Sequence, residues 1–250
     1  MGEWFADEEF WTAYAPLLFD ERRWSETPMV VDGIEKLTGL ASGERSCKSV
    51  LDLCCGPGRH VLEFARRGYR VCGVDSTKPY LQAARESAAA EGLSVELVCE
   101  DARRFSRPGS FDLAVNLFTS FGYFDDPADD ALMVRRLYEN LAPDGALVME
   151  MAGKETAARD FTEGEWFERD GKLVMTEFSV VGAWEGLRNR WIMVDGDRRV
   201  DRSWVQRLYA ATELKILLLQ AGFRTVRVYG SFEGTPYDSQ ARSLVTIGIK

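Results

Sequence analysis

A formal charge of −9 over 250 residues, with 31 Lys and Arg against 40 Asp and Glu, argues against a nucleic-acid partner, because phosphate-backbone binding is carried by basic side chains. No apolar run approaches the ~20 residues of a membrane-spanning helix, and five cysteines without a CxxC pair point to reduced thiols rather than a disulfide framework or zinc site. With 46% hydrophobic and 28% charged residues the chain reads as a globular α/β protein with a sizeable core, and, lacking a signal-peptide pattern, as cytoplasmic.

Residues 3–24 are acidic and aromatic. Phe10, Tyr14, Leu17 and Leu18 recur at helical spacing, although Pro16 interrupts the pattern, and Val30, Ile34 and Leu37 mark a second amphipathic helix over 30–40. Such a segment either docks an aromatic face on the main domain or acts as a lid, with Trp11 or Tyr14 touching a ligand. Gly39 to Gly43 marks a loop. A buried strand is expected over 49–53, a sharp turn at Cys54-Cys55-Gly56-Pro57-Gly58, a helix from Arg59 to Arg67 ended by Gly68, and a second strand over 70–74 with Asp75 at its carboxyl end. Strand, glycine turn, helix, strand and acid make half of a nucleotide-binding α/β unit. The acid, about 20 residues past the turn, is placed to accept from ribose hydroxyls.

Asp52-Leu-Cys-Cys-Gly-Pro-Gly58 resembles the Asp/Glu-x-Gly-x-Gly-x-Gly signature of class I S-adenosylmethionine-dependent methyltransferases, with Cys54 in place of the first glycine. The dinucleotide fingerprint fits less well, since its third glycine falls at Val61. A helix over 80–91 and a strand over 95–99 follow, and Glu100-Asp101-Ala102 stands at that strand's end. Acids at the ends of successive strands face one crevice. The resemblance implies that Asp101 accepts from the adenine amino group and Ala102 offers its amide; helix capping is the plainer role for Asp101. This pair of acids favours S-adenosylmethionine over NAD.

A fourth strand is expected over 111–115. The following Asn116 to Phe124, by the resemblance, borders the reacting methyl group and is similar to the same segment of bacterial small-molecule methyltransferases. A helix over 129–141, a turn at Ala142-Pro-Asp-Gly145 and a fifth strand over 146–149 complete the first half. Alternation then stops. Three strand-like runs, 172–181, 187–194 and 200–208, are separated by Glu185-Gly186 and Asp195-Gly196 and read as an inserted antiparallel sheet. A helix over 211–220 and strands over 224–229 and 243–249 resume the pattern, around a Gly230 to Tyr237 loop that also resembles the family. The expected fold is therefore a Rossmann-like, doubly wound seven-stranded α/β sheet. Residues 1–45 form an N-terminal helical cap, 46–153 and 210–250 the cofactor domain, and 154–209 an inserted β lid on the acceptor side.

The resemblance implies S-adenosylmethionine as cofactor, held by Cys54, Gly56, Gly58, His60, Asp75, Ser76, Asp101, Ala102, Asn116 and Leu117. Candidates to touch a small-molecule methyl acceptor are Tyr14, Phe121, Tyr123, Trp184, Arg190, Trp191 and Arg207, with Asn116, Tyr123 and Tyr14 as catalytic candidates. Lid arginines would favour an acceptor bearing a carboxylate or phosphate. A neutral amine needs no base at the moment of attack, whereas a hydroxyl usually does. With His60 the only histidine, nitrogen is the favoured nucleophile. O-methylation, an NAD-dependent dehydrogenase and a non-catalytic cofactor-binding protein stand as alternatives. No metal is expected, and the chain is read as a monomer or homodimer.

Overall fold

The computed structural model describes residues 3–40 and 48–250. After a 3-10 turn at Trp4–Ala6, α1 (Glu8–Leu18) begins where Asp7 accepts from the Phe10 amide, and α2 (Glu21–Thr38) where Asp20 accepts from the Arg23 amide. These are side-chain N-caps, each satisfying an amide that the helix itself leaves free. Pro16 and Pro28 lie inside the two helices. The second helix thus starts well before Val30. Burial of Phe10 and Tyr14 in α1, and of Val31 and Ile34 in α2, outweighs the backbone bond that each proline removes. From residue 41 the expected loop, and the boundary placed at residue 45, lie outside the described residues.

The chain continues through β1 (Ser49–Leu53), α3 (Arg59–Arg66), β2 (Arg70–Asp75), α4 (Lys78–Ala90), β3 (Glu96–Cys99), β4 (Phe111–Asn116), α5 (Pro127–Asn140) and β5 (Leu141–Met151). Next come α6 (Lys154–Arg159), β6 (Gly164–Arg169), β7 (Lys172–Val181), β8 (Gly186–Asp195), β9 (Arg198–Arg207), α7 (Ala211–Ala221), β10 (Thr225–Tyr229) and β11 (Leu244–Ile249). Seven strands form one sheet in the order β10-β11-β5-β4-β1-β2-β3, and only β11 runs against the others. The turn expected at Ala142–Gly145 is absorbed into β5, where the register against β4 shifts between Phe111 and Leu113. The order reverses between β1 and β4, so the carboxyl ends of these strands open a crevice of the kind that holds ligands. All five residues of β1 are buried. Apolar clusters cover both faces of the sheet, one gathering Leu137, Leu214 and Leu218 from α5 and α7, the other Ile34, Val61, Phe64 and Leu81 from α2, α3 and α4.

The insertion is a four-stranded antiparallel sheet, β6-β7-β8-β9, with one more strand than the sequence suggests. β6 was hidden because its side chains are largely exposed, Trp166 at 70%, and so carry no apolar alternation. The aromatic face of α1 packs on this sheet rather than on the main one. Phe10 and Tyr14 join Val174, Met193, Val200 and Trp204 in a third cluster. Arg202 on β9 adds bonds to Asp7 (2.5 Å) and Glu9 (2.9 Å). Cap helix and lid therefore share one core.

Candidate active site

One cavity of about 390 Å³ opens at the strand reversal, within the ~300–1,000 Å³ of ligand pockets. Its floor is the glycine turn. The amides of Cys54 and Cys55 both donate to the Val74 carbonyl, at 2.8 and 3.0 Å, folding the end of β1 over β2. Cys54, at the position of the family's first glycine, has φ +65°, a left-handed conformation that strains a residue with a Cβ. Gly56 (φ +55°) donates its amide to Asp75 Oδ2 at 2.8 Å, and the Thr77 amide donates to Oδ1 at 2.8 Å. Burial raises the pKa of Asp75 while these bonds oppose it. Each carboxylate oxygen keeps a second acceptor site for a ligand hydroxyl.

Asp52 lies beneath the turn, fully buried, with Oδ2 unpartnered. Burial pushes its pKa up to about 7, against the opposing charge of Arg59 and helped by that of Asp75. The sign follows from linkage. A carboxyl held protonated in the fold contributes stability that is full below about 3.8, its ordinary pKa, and is lost as pH rises through about 7. Wild type should therefore melt at falling temperature across that window, and Asp52→Asn should melt higher than wild type near pH 8 and equally near pH 4. A wild-type melting temperature that rises from pH 5 to 8 while Asp52→Asn stays flat would remove Asp52 as a buried acid.

The segment after β4 closes a second wall. Phe118 and Thr119 both have positive φ, +60° and +58°. Glu150 holds them there, taking the Phe118 amide on Oε2 (2.8 Å) and the Thr119 amide on its carbonyl (3.1 Å). Arg23 and Arg59 sit over the Phe118 ring, at 4.3 and 4.9 Å from its centroid. These two arginines line the cavity and suit a carboxylate such as that of an amino-acid cofactor. Opposite them, Trp4, Phe10 and Trp11 from the cap meet Tyr123, Trp191 and Trp204 in an aromatic box. Trp4 stacks on Trp204 at 4.5 Å and meets Tyr123 edge-on at 4.8 Å.

Cys54, Gly56, His60, Asp75, Ser76, Asp101, Ala102, Leu117, Phe121, Tyr123 and Trp191 all line this cavity. The other candidates do not. Gly58 (φ +85°) faces α4, where an added Cβ would stand 2.7 Å from that of Ala84; it serves helix packing. Asn116 is buried and donates to the carbonyls of Leu53 (2.9 Å) and Ser120 (3.3 Å), tying β1 to the β4 loop. Tyr14 is buried in the core shared by cap and lid and reaches the Val200 carbonyl at 3.4 Å. Trp184 sits in the β7–β8 turn against Phe161. Arg190 pairs with Asp201 (2.9 Å) and Glu177 (3.2 Å), and Arg207 with buried Asp130 (2.6 Å). The expected arginine wall is thus absent from the cavity.

Asp101 is also more committed than its position suggests. Arg103 engages both of its oxygens and bridges to Glu3 and Asp129. Burial works against ionisation of Asp101, but these bonds prevail and hold its pKa below the usual value. Neighbouring Glu100 lines the same wall and takes the Asp101 amide on Oε1 alone, at 3.0 Å. His60 is buried with Nε2 unpartnered, and burial holds its pKa well below the usual value, so the ring is neutral. Burial pushes the Tyr123 phenol up, so it stays protonated.

Residues missed in the sequence are Phe19, Arg23, Arg59, Tyr80, Asn189, Trp204 and Gln206, all of which line the cavity. For three of them a signal existed. Neighbours on a strand point to opposite faces, so Trp191 inside puts Asn189 inside and Arg190 outside. Trp204, which pairs with Asn189, brings in Gln206 and excludes Arg207.

Comparison with known proteins agrees with this arrangement. Residues 50–145 match the family model described as a methyltransferase domain. The cypemycin N-terminal methyltransferase of a Streptomyces species is 23% identical over 246 residues, covering 93% of this chain and 97% of that protein. Among solved structures, an S-adenosylmethionine-dependent methyltransferase from Clostridium acetobutylicum superposes with a TM-score of 0.77 at 14% identity, covering 96% of this chain and 97% of its own. The amino pentose methyltransferase CalS10 from Micromonospora echinaspora, solved with S-adenosylmethionine bound, has a TM-score of 0.68 at 21% identity and covers 97% of each chain. The glycine turn, Asp75 at the next strand end and the match over residues 50–145 converge on one conclusion: this stretch is a methyltransferase domain, set in a fold shared with S-adenosylmethionine-dependent methyltransferases.

Proposed function

We propose that this protein is a class I S-adenosylmethionine-dependent methyltransferase that acts on a nitrogen atom of a small molecule, with Asp75 holding the cofactor ribose and the aromatic box holding the acceptor. The observation that carries this is the continuity of a single cavity from the glycine turn to an aromatic wall built by the cap and the lid. The cofactor domain supplies the floor and the cap and lid supply the cover of a cavity of about 390 Å³, a size that suits a small molecule. Two of the similar proteins bear names that specify an N-terminus and an amino sugar, in keeping with a nitrogen acceptor.

When bound, S-adenosylmethionine supplies an electrophilic methyl group on a sulfonium, with a neutral thioether as leaving group. The protein's share is alignment and desolvation. Asp75 and the Gly56 turn would fix the nucleoside, Arg23 and Arg59 the carboxylate, and the tryptophans the line of approach. Aromatic faces also stabilise cationic charge on either partner. His60 lines the cavity, but burial holds its pKa well below the usual value and makes it a weak base for a hydroxyl acceptor, and Tyr123 stays protonated.

A competition between cyclohexylamine and cyclohexanol with methyl-labelled cofactor tests this. Label should appear on the amine, at a rate that climbs with pH towards the amine's own pKa and shows no inflection near pH 6.5. Preferential labelling of the alcohol would favour O-methylation with a general base in the cavity.

A further inference from the structure

We propose that Asn189 and Gln206 are the acceptor-orienting pair of this site, and that they select an amine free of anionic groups. The inference rests on the nitrogen-acceptor reading above and adds the substrate's chemical class to it. Both amides are pinned in one orientation. Asn189 Nδ2 donates to the Leu187 carbonyl at 2.9 Å, and Gln206 Nε2 donates to the carbonyls of Thr119 (3.3 Å) and Phe121 (3.2 Å). A flipped amide would set oxygen against carbonyl oxygen, so the network fixes which atom is which. Both N–H bonds of Gln206 and one of Asn189 go to backbone carbonyls, which leaves a ligand the two side-chain carbonyl oxygens, which only accept, and a single Asn189 N–H.

Strand geometry places these residues in the box. Asn189 on β8 lies directly opposite Trp204 on β9, and Trp191 and Gln206 are the next residues on the same face of those strands. All four line the cavity. Two acceptors among indole faces suit a group with N–H donors and cationic character, hence a primary or secondary amine, and they direct its N–H bonds towards the lid. The charges around the box point the same way. Arg190, Arg199, Arg202 and Arg207 are all turned to carboxylates outside the cavity. Arg23 and Arg59 enter from α2 and α3, beside Phe118, rather than from the lid. A carboxylate or phosphate on the acceptor would meet aromatic rings and amide oxygens with no cation from the lid. Such a charge is desolvated without a partner.

The test uses the full-length protein saturated with S-adenosylhomocysteine and three matched probes: trans-2-aminocyclohexanol, its N-acetyl derivative and its phosphate ester. Calorimetry should show the amine binding at millimolar concentrations, the N-acetyl form weaker by about tenfold or more because two of the ammonium's three donors and its charge are gone, and the phosphate ester weaker still. Asn189→Leu and Gln206→Met should each weaken the amine by about tenfold while leaving S-adenosylhomocysteine affinity and melting temperature near wild type. Should Gln206→Met loosen the tether to Thr119 and Phe121 and melt early, the wild-type probe series still decides. Equal or tighter binding of the phosphate ester, or no amine binding by wild type, overturns the proposal. If methyl transfer to cyclohexylamine persists in either case, the nitrogen-acceptor reading survives and only the selection rule fails. Loss of that transfer together with normal cofactor binding would sink both.

Discussion

Asp75→Ala should weaken S-adenosylmethionine binding by about 2–4 kcal/mol, or roughly 30- to 1,000-fold, because in the proposed site it removes charge-assisted acceptors from the ribose hydroxyls. The same change strips the Gly56 and Thr77 amides of their shared partner, at 2.8 Å each, so part of the loss comes from a loosened turn. Asp75→Asn separates the two contributions. It keeps one carbonyl oxygen but sets an NH2 against one of those amides, so its affinity should fall between wild type and alanine. Equal affinity in wild type and Asp75→Ala would take Asp75 out of the cofactor site.

Arg207→Met should destabilise the fold by about 3–5 kcal/mol, the usual range when one partner of a buried ion pair is removed. Asp130 is fully buried and keeps only the Tyr209 hydroxyl, at 2.8 Å, once the guanidinium is gone. Arg207 also donates to the carbonyls of Phe124 (3.0 Å) and Asp125 (2.9 Å), so the mutation frees the loop that carries Tyr123. Burial already raises the Asp130 pKa against the pull of Tyr209 and Arg207. Without the arginine it rises further, and the loss should be larger near pH 8 than near pH 5, where the acid can protonate. Urea melts at both values give the answer. A loss below about 1 kcal/mol would mean that this pair behaves as a surface bridge.

The glycine-turn half of the cavity was legible because its geometry is local. Strand, glycine turn, helix and acid fall within 49–75, and a turn that brings Gly56 to Asp75 needs no long-range information. Asp101 was legible in place but not in partner, since Arg103 reaches it through a network that includes Glu3 and Asp129. Asn116 looked catalytic because it ends β4 at the crevice. Its side chain instead satisfies the Leu53 and Ser120 carbonyls, which only the β1–β4 pairing makes available. The acceptor half was read by composition rather than by parity, so arginines and tryptophans of the lid were taken together. The two-residue period of β8 and β9 puts Arg190 and Arg207 on the face away from Trp191 and Trp204, whereas Arg202 shares their face and turns to Asp7 and Glu9 of the cap. β6 and the early start of α2 were hidden for a related reason: Trp166 stands exposed, and Arg23, Arg59 and Phe118 form a polar-aromatic contact that leaves no apolar stripe.

Parallel calorimetric titrations test most directly whether a single adenosyl cofactor sits against the turn that Gly56 and Asp75 close. S-adenosylmethionine and S-adenosylhomocysteine should each bind the wild-type protein at one site, NAD should produce no binding heat, and Asp75→Ala should bind neither adenosyl ligand with comparable affinity. Binding of NAD in preference to S-adenosylmethionine, or undiminished S-adenosylmethionine binding by Asp75→Ala, would contradict it.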